Sequence, residues 1–132
     1  MRGSIRSFAR LLDDCAEILD PFIKSSRRGG LLWNGVEYAP STQDLEPDPY
    51  ALAWWSTLRT ISALLAGQSS LTSQQHAYLQ CELFGGMGSL NDFSLNAKRW
   101  GKKAKTANEQ LREIRDELYS CFQSLPVAES KT

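Results

Sequence analysis

The 132-residue chain has a single histidine, three cysteines and no excess of charge of either sign. A Ser-His-Asp or Cys-His site would have to use His76, and a structural role is the favoured interpretation of this residue. Cys15, Cys81 and Cys121 lack the spacing of a zinc site or a disulfide framework, so we expect reduced, buried thiols and neither metal nor cofactor. Fifteen basic and fifteen acidic residues give no general electrostatic argument for binding nucleic acid or a membrane.

Long apolar runs are also missing. Acidic residues at 13, 14 and 17 interrupt the N-terminal segment, so we expect no signal peptide, and no stretch has transmembrane length. The chain has the usual length of one domain, and its apolar fraction of 42% is enough to bury a core. The sequence therefore predicts a cytoplasmic protein with a single helical domain over 1–125 and a flexible tail over 126–132.

Apolar residues at helical spacing dominate the rest of the chain. Pro21 should end or kink the first helix, Asp48-Pro49 should begin the second, and Thr72 should open the third with a T-x-x-Q capping box. The predicted fold is all-α, with four principal helices in an antiparallel up-and-down bundle. The helices are expected at about 4–20, 48–66, 72–84 and 104–125. The predicted core stripe of the second helix comprises Leu52, Trp55, Leu58, Ile61, Leu64 and Leu65.

The connection before the second helix is long, rich in glycine and proline, and acidic. Its segment LLWNGVEY is compatible with a small hairpin in the 29–47 connection, because Asn34-Gly35 suits a type I′ turn. Residues 34–95 carry six acidic side chains against Arg59, a local charge of 1 − 6 = −5. Aromatic and acidic side chains together are suited to a basic protein partner. The candidate partner-binding residues are Trp33, Glu37, Tyr38, Asp44, Glu46, Asp48 and Trp54.

The segment KRWGKKAK, residues 98–105, has the opposite charge, with five cations in eight residues. Its Trp100 completes the mixture of cations and an aromatic ring that contacts nucleic acid. One alternative is therefore a nucleic-acid-associated module that uses this segment. Because the rest of the chain is neutral or acidic, a solvated linker or a contact to an acidic partner is favoured.

The run FGGMGSLNDF, residues 84–93, concentrates glycines in a helical protein. A phosphate loop would need Lys-Ser/Thr after its last glycine and a strand before it, and both are missing. A structural turn is favoured: Gly85 ends a helix, Ser89 caps a short helical turn with Asp92, and Met87 and Phe93 pack inward. A second alternative function, a nucleotide-binding regulator or small enzyme, would be built around residues 85–92.

The same run resembles a mostly uncharacterised family of small bacterial proteins that share a G-G-M-G-S-[LF]-N-D stretch. That family is associated with toxin–immunity and interbacterial competition genes. The resemblance covers residues 85–92, and it implies a non-enzymatic immunity-type protein that neutralises a cognate toxin by direct complex formation and occlusion. It leaves the toxin and the oligomeric state open. The structural loop comprises Gly85, Gly86, Met87, Gly88, Ser89, Asn91 and Asp92.

Overall fold

The computed structural model describes residues 4–24, 26–27, 31–33, 38–40, 44–45 and 47–128. Within these ranges the fold is mostly helical, as predicted, and none of the helices is long and apolar enough to cross a membrane. Two 3₁₀ turns, Asp20–Phe22 and Leu90–Asp92, accompany the α-helices. The α-helices are α1 (Ile5–Leu19), α2 (Pro49–Leu65), α3 (Ser73–Phe84), α4 (Ala97–Trp100) and α5 (Lys102–Gln123).

Side-chain caps begin the first three helices, at Ser4 and at the predicted positions Asp48 and Thr72. The Ser4 hydroxyl accepts a hydrogen bond from the Ser7 N–H at 3.0 Å, and Asp48 caps α2. Thr72 and Gln75 form the capping box, in which each side chain accepts the other residue's backbone N–H at 3.0 Å. A cap satisfies a donor that the helix leaves open and stabilises it by about 1 kcal/mol.

The first helix ends near Asp20 as Pro21 predicts, whereas the last helix differs from its predicted bounds. α1 ends at Leu19, where the chain passes into the 3₁₀ turn that contains Pro21. The last predicted helix, 104–125, is observed as α5 from Lys102 to Gln123, preceded by the short α4. Gly101 separates α4 from α5 with a φ of +65°, a backbone conformation that glycine adopts without strain.

The core forms around α1, which packs against both α2 and α5. The Phe8 and Phe122 rings meet across α1 and α5 with centroids 5.9 Å apart, and α3 contacts α5 through His76 and Phe84, which lie against Phe122. The up-and-down order of four helices stays a prediction. The largest fully buried side chains are Phe8, Phe122, Leu12, Leu19, Leu58, Leu71, Leu79, Leu83, Leu90, Leu111, Leu118 and Cys15.

The predicted core stripe of α2 is wrong at two positions. Leu52 and Leu64 are 41% and 66% exposed, whereas Ala51 and Ser62 lie in the interior. The reason is that α2 carries apolar residues around most of its circumference, so spacing alone does not identify the face that packs inward. The Ser62 hydroxyl is accommodated there by donating to the Ala9 carbonyl oxygen at 3.3 Å.

Two short antiparallel strand pairs lie between α1 and α2. β1 (Ser26–Arg27) pairs with β4 (Asp44–Leu45), and β2 (Leu31–Trp33) pairs with β3 (Tyr38–Pro40). The second pair lies in the 29–47 connection, for which the sequence predicts that a small hairpin is possible. Its register puts Trp33 opposite Tyr38, whereas a two-residue turn at 34–35 would put Val36 there. Residues 34–37, between these two strands in sequence, lie outside the described residues.

The chain past α5 returns to the connection between α2 and α3. The Leu71 N–H donates to the Pro126 carbonyl oxygen at 2.9 Å, and the Ala128 N–H donates to the Leu71 carbonyl oxygen at 2.8 Å. Leu71 itself is fully buried. The segment predicted as a flexible tail from residue 126 therefore keeps backbone contacts with the domain as far as Ala128.

Candidate functional site

The glycine-rich loop leaves α3 through three positions at which a residue larger than glycine would be disfavoured. A Cβ built on Gly85 would overlap the Cys81 carbonyl oxygen, and Gly86 and Gly88 have φ values of +98° and +82°. Ser89 closes the turn, since its N–H and its hydroxyl both donate to the Gly86 carbonyl oxygen, at 2.9 and 2.6 Å. The predicted cap by Ser89 is wrong, because its side chain accepts no N–H of the 3₁₀ turn that follows.

Arg115 of α5 holds the far end of this loop from inside the protein. Its side chain is buried, and Nη1 donates to the carbonyl oxygens of Leu90 and Phe93 at 2.8 and 2.6 Å. Burial lowers the pKa of Arg115, and the neighbouring Cys15 opposes that shift. The Arg115 Nε has no hydrogen-bond partner among the described residues. Each hydrogen bond from a charged donor is worth about 1.5–3 kcal/mol, so this side chain fixes the backbone of residues 90–93.

A second residue of α5, Asn108, holds the chain just after the loop through its side-chain amide. The Asn108 amide accepts from the Leu95 N–H at 2.8 Å and donates to the Leu95 carbonyl oxygen at 3.1 Å. The tip of the loop is different: Met87 is 98% exposed, so the prediction that it packs inward is wrong. Phe93 does lie against the core, half-buried. The loop is thus a fixed backbone that presents one methionine to solvent.

Asp48 lies at a junction of three elements. Its Oδ1 caps α2 by accepting the N–H groups of Tyr50 and Ala51 at 2.9 and 3.1 Å, and its own N–H donates to the Phe22 carbonyl oxygen at 2.8 Å. Its Oδ2 accepts the indole N–H of Trp100 at 3.1 Å. With its side chain buried, Asp48 has the contacts of a residue that organises the fold.

The basic segment 98–105 divides into a buried ring and exposed cations. The Trp100 ring is 9% exposed and packs edge-on against Phe22, with centroids 5.1 Å apart. A nucleobase can stack only on an accessible aromatic face. The buried Trp100 ring therefore contributes nothing to a surface that binds nucleic acid, although its position among cations suggested one. The five cations of the segment, Lys98, Arg99, Lys102, Lys103 and Lys105, are exposed.

The candidate partner-binding residues fall into three groups. Trp33 and Tyr38 are paired across β2 and β3, and Asp44 lies opposite Arg27 in the other strand pair. Glu37 and Glu46 lie outside the described residues. Asp48 and Trp54 belong to the N-terminal part of α2, where Asp48 is buried and Trp54 is half-buried against the core.

The exposed side of α2 is a feature that the sequence reasoning missed. Among its exposed residues only Arg59 is charged, and Arg59 Nη1 contacts Asp13 Oδ1 at 3.0 Å on the side towards α1. The exposed side of α5, by contrast, carries charges of both signs along its length. The sequence did contain an indication of this surface, because only one of the 17 residues of α2 is charged. We define the α2 outer face as Tyr50, Leu52, Ala53, Ser56, Thr60, Ala63 and Leu64.

The single histidine and the three cysteines differ in burial. His76 is half-buried with its ring stacked on Phe122, centroids 4.6 Å apart, which fits the structural interpretation. Burial raises the pKa of the Cys15 thiol from 9.0 to about 12, and it also raises that of Cys121. Cys81 is exposed, so the expectation that all three cysteines are buried is wrong. Across the described residues no group of three His, Cys, Asp or Glu side chains is arranged to hold a metal ion.

Comparison with known proteins adds no relative. No protein-family model, no curated protein and no solved structure matches this chain.

Proposed function

We propose that this protein is a non-enzymatic, immunity-type binding protein that neutralises a cognate bacterial toxin by direct complex formation and occlusion. The observation that carries the proposal is the α2 outer face, an exposed helical surface without a charged side chain. The resemblance of residues 85–92 to the immunity-associated family supplies the class of partner. The proposed place of action is the cytoplasm, where such a toxin would have its target.

The α2 outer face has the composition of an interface core. Charged residues are depleted at the centre of protein interfaces, where tyrosine is enriched. Tyr50 is 73% exposed at one end of the face and Leu64 is 66% exposed at the other. A partner that covers these apolar side chains would gain about 25 cal/mol for each Å² of apolar surface removed from water.

The helix is also prepared for binding before any partner arrives. Asp48 caps it, and Leu58 and Leu65 anchor its inner side in the core. A preformed helix loses little conformational entropy when it associates, so more of the contact energy remains as affinity. Occlusion of a toxin by such a surface needs no rearrangement of the immunity protein.

The acidic connection before α2 indicates that the surface of the proposed partner is basic. Glu37, Asp44 and Glu46 precede α2 in the chain, and together they would attract a basic toxin surface towards the α2 outer face. Association should then slow as salt is added, because screening shortens the range of this attraction. We propose that Trp33 and Tyr38 contribute aromatic contacts beside it.

The glycine-rich loop has a structural part in this proposal. The bonds from Arg115 to Leu90 and Phe93 use the loop to close the fold against α5. We also propose that the principal helices follow one another up and down, which would leave α2 with a free outer side. Neither element needs a cofactor, a metal or a catalytic group.

The test is co-expression with the product of the neighbouring gene. The proposal predicts that the two proteins co-purify as a stable complex and that this protein restores growth to cells that express the neighbour. Co-purification without restored growth would remove the immunity role and leave a binding protein. Absence of both, with each protein folded by circular dichroism, would overturn the proposal.

A further inference from the structure

Two adjoining clefts lie beside the N-terminal half of α1, on the side where α2 ends. One has a volume of about 600 Å³ and the other about 610 Å³, and Arg6 and Gln68 line both of them. These volumes are in the range of small-molecule sites, about 300–1,000 Å³. Arg10 lines the first cleft beside Arg6, so two guanidinium groups one helical turn apart face the same space.

The charges of Arg6 and Arg10 are not paired with a carboxylate within the part of the chain that the structure describes. Neither side chain forms an ion pair with any residue in the described part of the chain, and both are exposed. Asp13, the carboxylate that also lines this cleft, is already engaged by Arg59 at 3.0 Å. Like charges at i and i+4 destabilise a helix by about 0.2–0.5 kcal/mol, so the spacing of Arg6 and Arg10 from each other adds no stability to α1.

The end of α2 does not require these arginines either. A helix C-terminus has unpaired carbonyl groups that cations can satisfy. Here the carbonyl oxygens of Ser62 and Ala63 both accept the Ala66 N–H, at 3.1 and 3.3 Å. Those of Leu64 and Leu65 accept the Gln68 side-chain amide and the Gln68 N–H, both at 3.0 Å.

We propose that the first cleft binds a phosphorylated small molecule, with its phosphate group between Arg6 and Arg10. Guanidinium groups bind phosphate oxygens through pairs of N–H donors, and two of them can neutralise a doubly charged phosphate. Ala9, Leu65 and Ala66 provide apolar walls, and the second cleft, lined by Ser4 and Ser69, accommodates the rest of the ligand. This site is separate from the glycine-rich loop and from the α2 outer face.

The test measures binding of inorganic phosphate, pyrophosphate and ADP by titration calorimetry and by thermal unfolding. For the wild-type chain we expect pyrophosphate or ADP to raise Tm by at least about 3 °C at saturation, as stabilisation of about 1 kcal/mol does in a domain of this size. Arg6→Ala and Arg10→Ala should each weaken binding at least about tenfold, in line with the loss of a charge-assisted hydrogen bond. Arg112→Ala, which removes an exposed arginine from α5, is the matched control and should bind like wild type.

The outcomes distinguish a nucleoside phosphate from other phosphate compounds as the ligand. They also test the phosphate site independently of toxin binding. Binding of ADP but not pyrophosphate would identify a nucleoside phosphate, and equal binding of both would identify the phosphate group as the recognised part. Absence of binding to all three probes, or equal loss in Arg112→Ala, would overturn the site. Toxin binding does not use this cleft, so Arg6→Ala should still protect cells, and the two proposals can fail independently.

Discussion

The indole N–H of Trp100 donates a hydrogen bond to the Asp48 carboxylate at 3.1 Å, joining residues 52 positions apart in the sequence. The same carboxylate caps α2, and the Trp100 ring packs against Phe22. One buried aspartate therefore fixes where α2 begins relative to α4 and to the 3₁₀ turn after α1. The position of the α2 outer face depends on this junction.

Removing the Asp48 carboxylate should destabilise the whole domain. Asp48→Ala loses the cap of α2, worth about 1 kcal/mol, and leaves the buried Trp100 N–H without an acceptor, which costs about 1–3 kcal/mol. We expect the free energy of unfolding in urea to fall by about 2–4 kcal/mol. Asp14→Ala, at an exposed position of α1, is the control and should change it by less than about 0.5 kcal/mol. Equal stability of the two variants would show that the junction contributes nothing.

Removing the Arg115 guanidinium should release the glycine-rich loop. Arg115→Met keeps a long side chain in the core but loses both bonds to the Leu90 and Phe93 carbonyls, and we expect a loss of about 2–4 kcal/mol in unfolding free energy. Hydrogen exchange should accelerate at residues 85–95 more than in α2. Arg112→Met, on the exposed side of the same helix, should leave both measurements unchanged. Uniform acceleration over the whole chain would contradict a local role for Arg115.

The buried Cys15 thiol should make stability fall in alkali. Its pKa is 9.0 without burial and about 12 in the fold, so between these values the unfolded chain loses a proton that the folded chain keeps. Stability from this group is fully present below pH 9 and is lost as the pH rises towards 12. Unfolding titrations between pH 8 and pH 11 should show a steeper decline for wild type than for Cys15→Ala. Parallel curves would contradict the protected thiol.

The exposed Cys81 thiol can be compared with the buried Cys15 thiol in the same protein. At pH 8, a disulfide reagent should modify Cys81 in the native protein, whereas Cys15 should react only after denaturation. Mass spectrometry of the labelled peptides distinguishes the two residues. Native labelling of Cys15 at the rate of Cys81 would show that its burial is not maintained in solution.

The parts of the fold that were predictable depend on neighbours in sequence. The capping box of Thr72 and Gln75 and the Asp48-Pro49 start of α2 follow from residues three positions apart or fewer, and both are confirmed. The stop at Gly85 follows from the same kind of local chemistry. Such features need no knowledge of what lies across the core.

The features that were missed depend on residues distant in sequence. The sequence puts Trp100 in a basic segment, and only its contacts with Asp48 and Phe22 show that its ring is buried. Arg115 stood in a row of charged residues on α5, and nothing nearby in sequence indicated that Leu90 and Phe93 would bind it. Sequence periodicity failed on α2 for a different reason, since a helix that is apolar on most sides has no unique inner stripe.

The most direct measurement for the proposed function compares the same substitution on two helices. Ser56 lies in the middle of the α2 outer face and Ser120 lies on the exposed side of α5, so Ser56→Arg and Ser120→Arg add one charge to equivalent helical positions. The dissociation constant of each variant for the product of the neighbouring gene would be measured by calorimetry. The account predicts that Ser56→Arg weakens binding at least about tenfold, or 1.4 kcal/mol, while Ser120→Arg binds like wild type. Wild-type affinity of Ser56→Arg would contradict the α2 outer face as the binding surface.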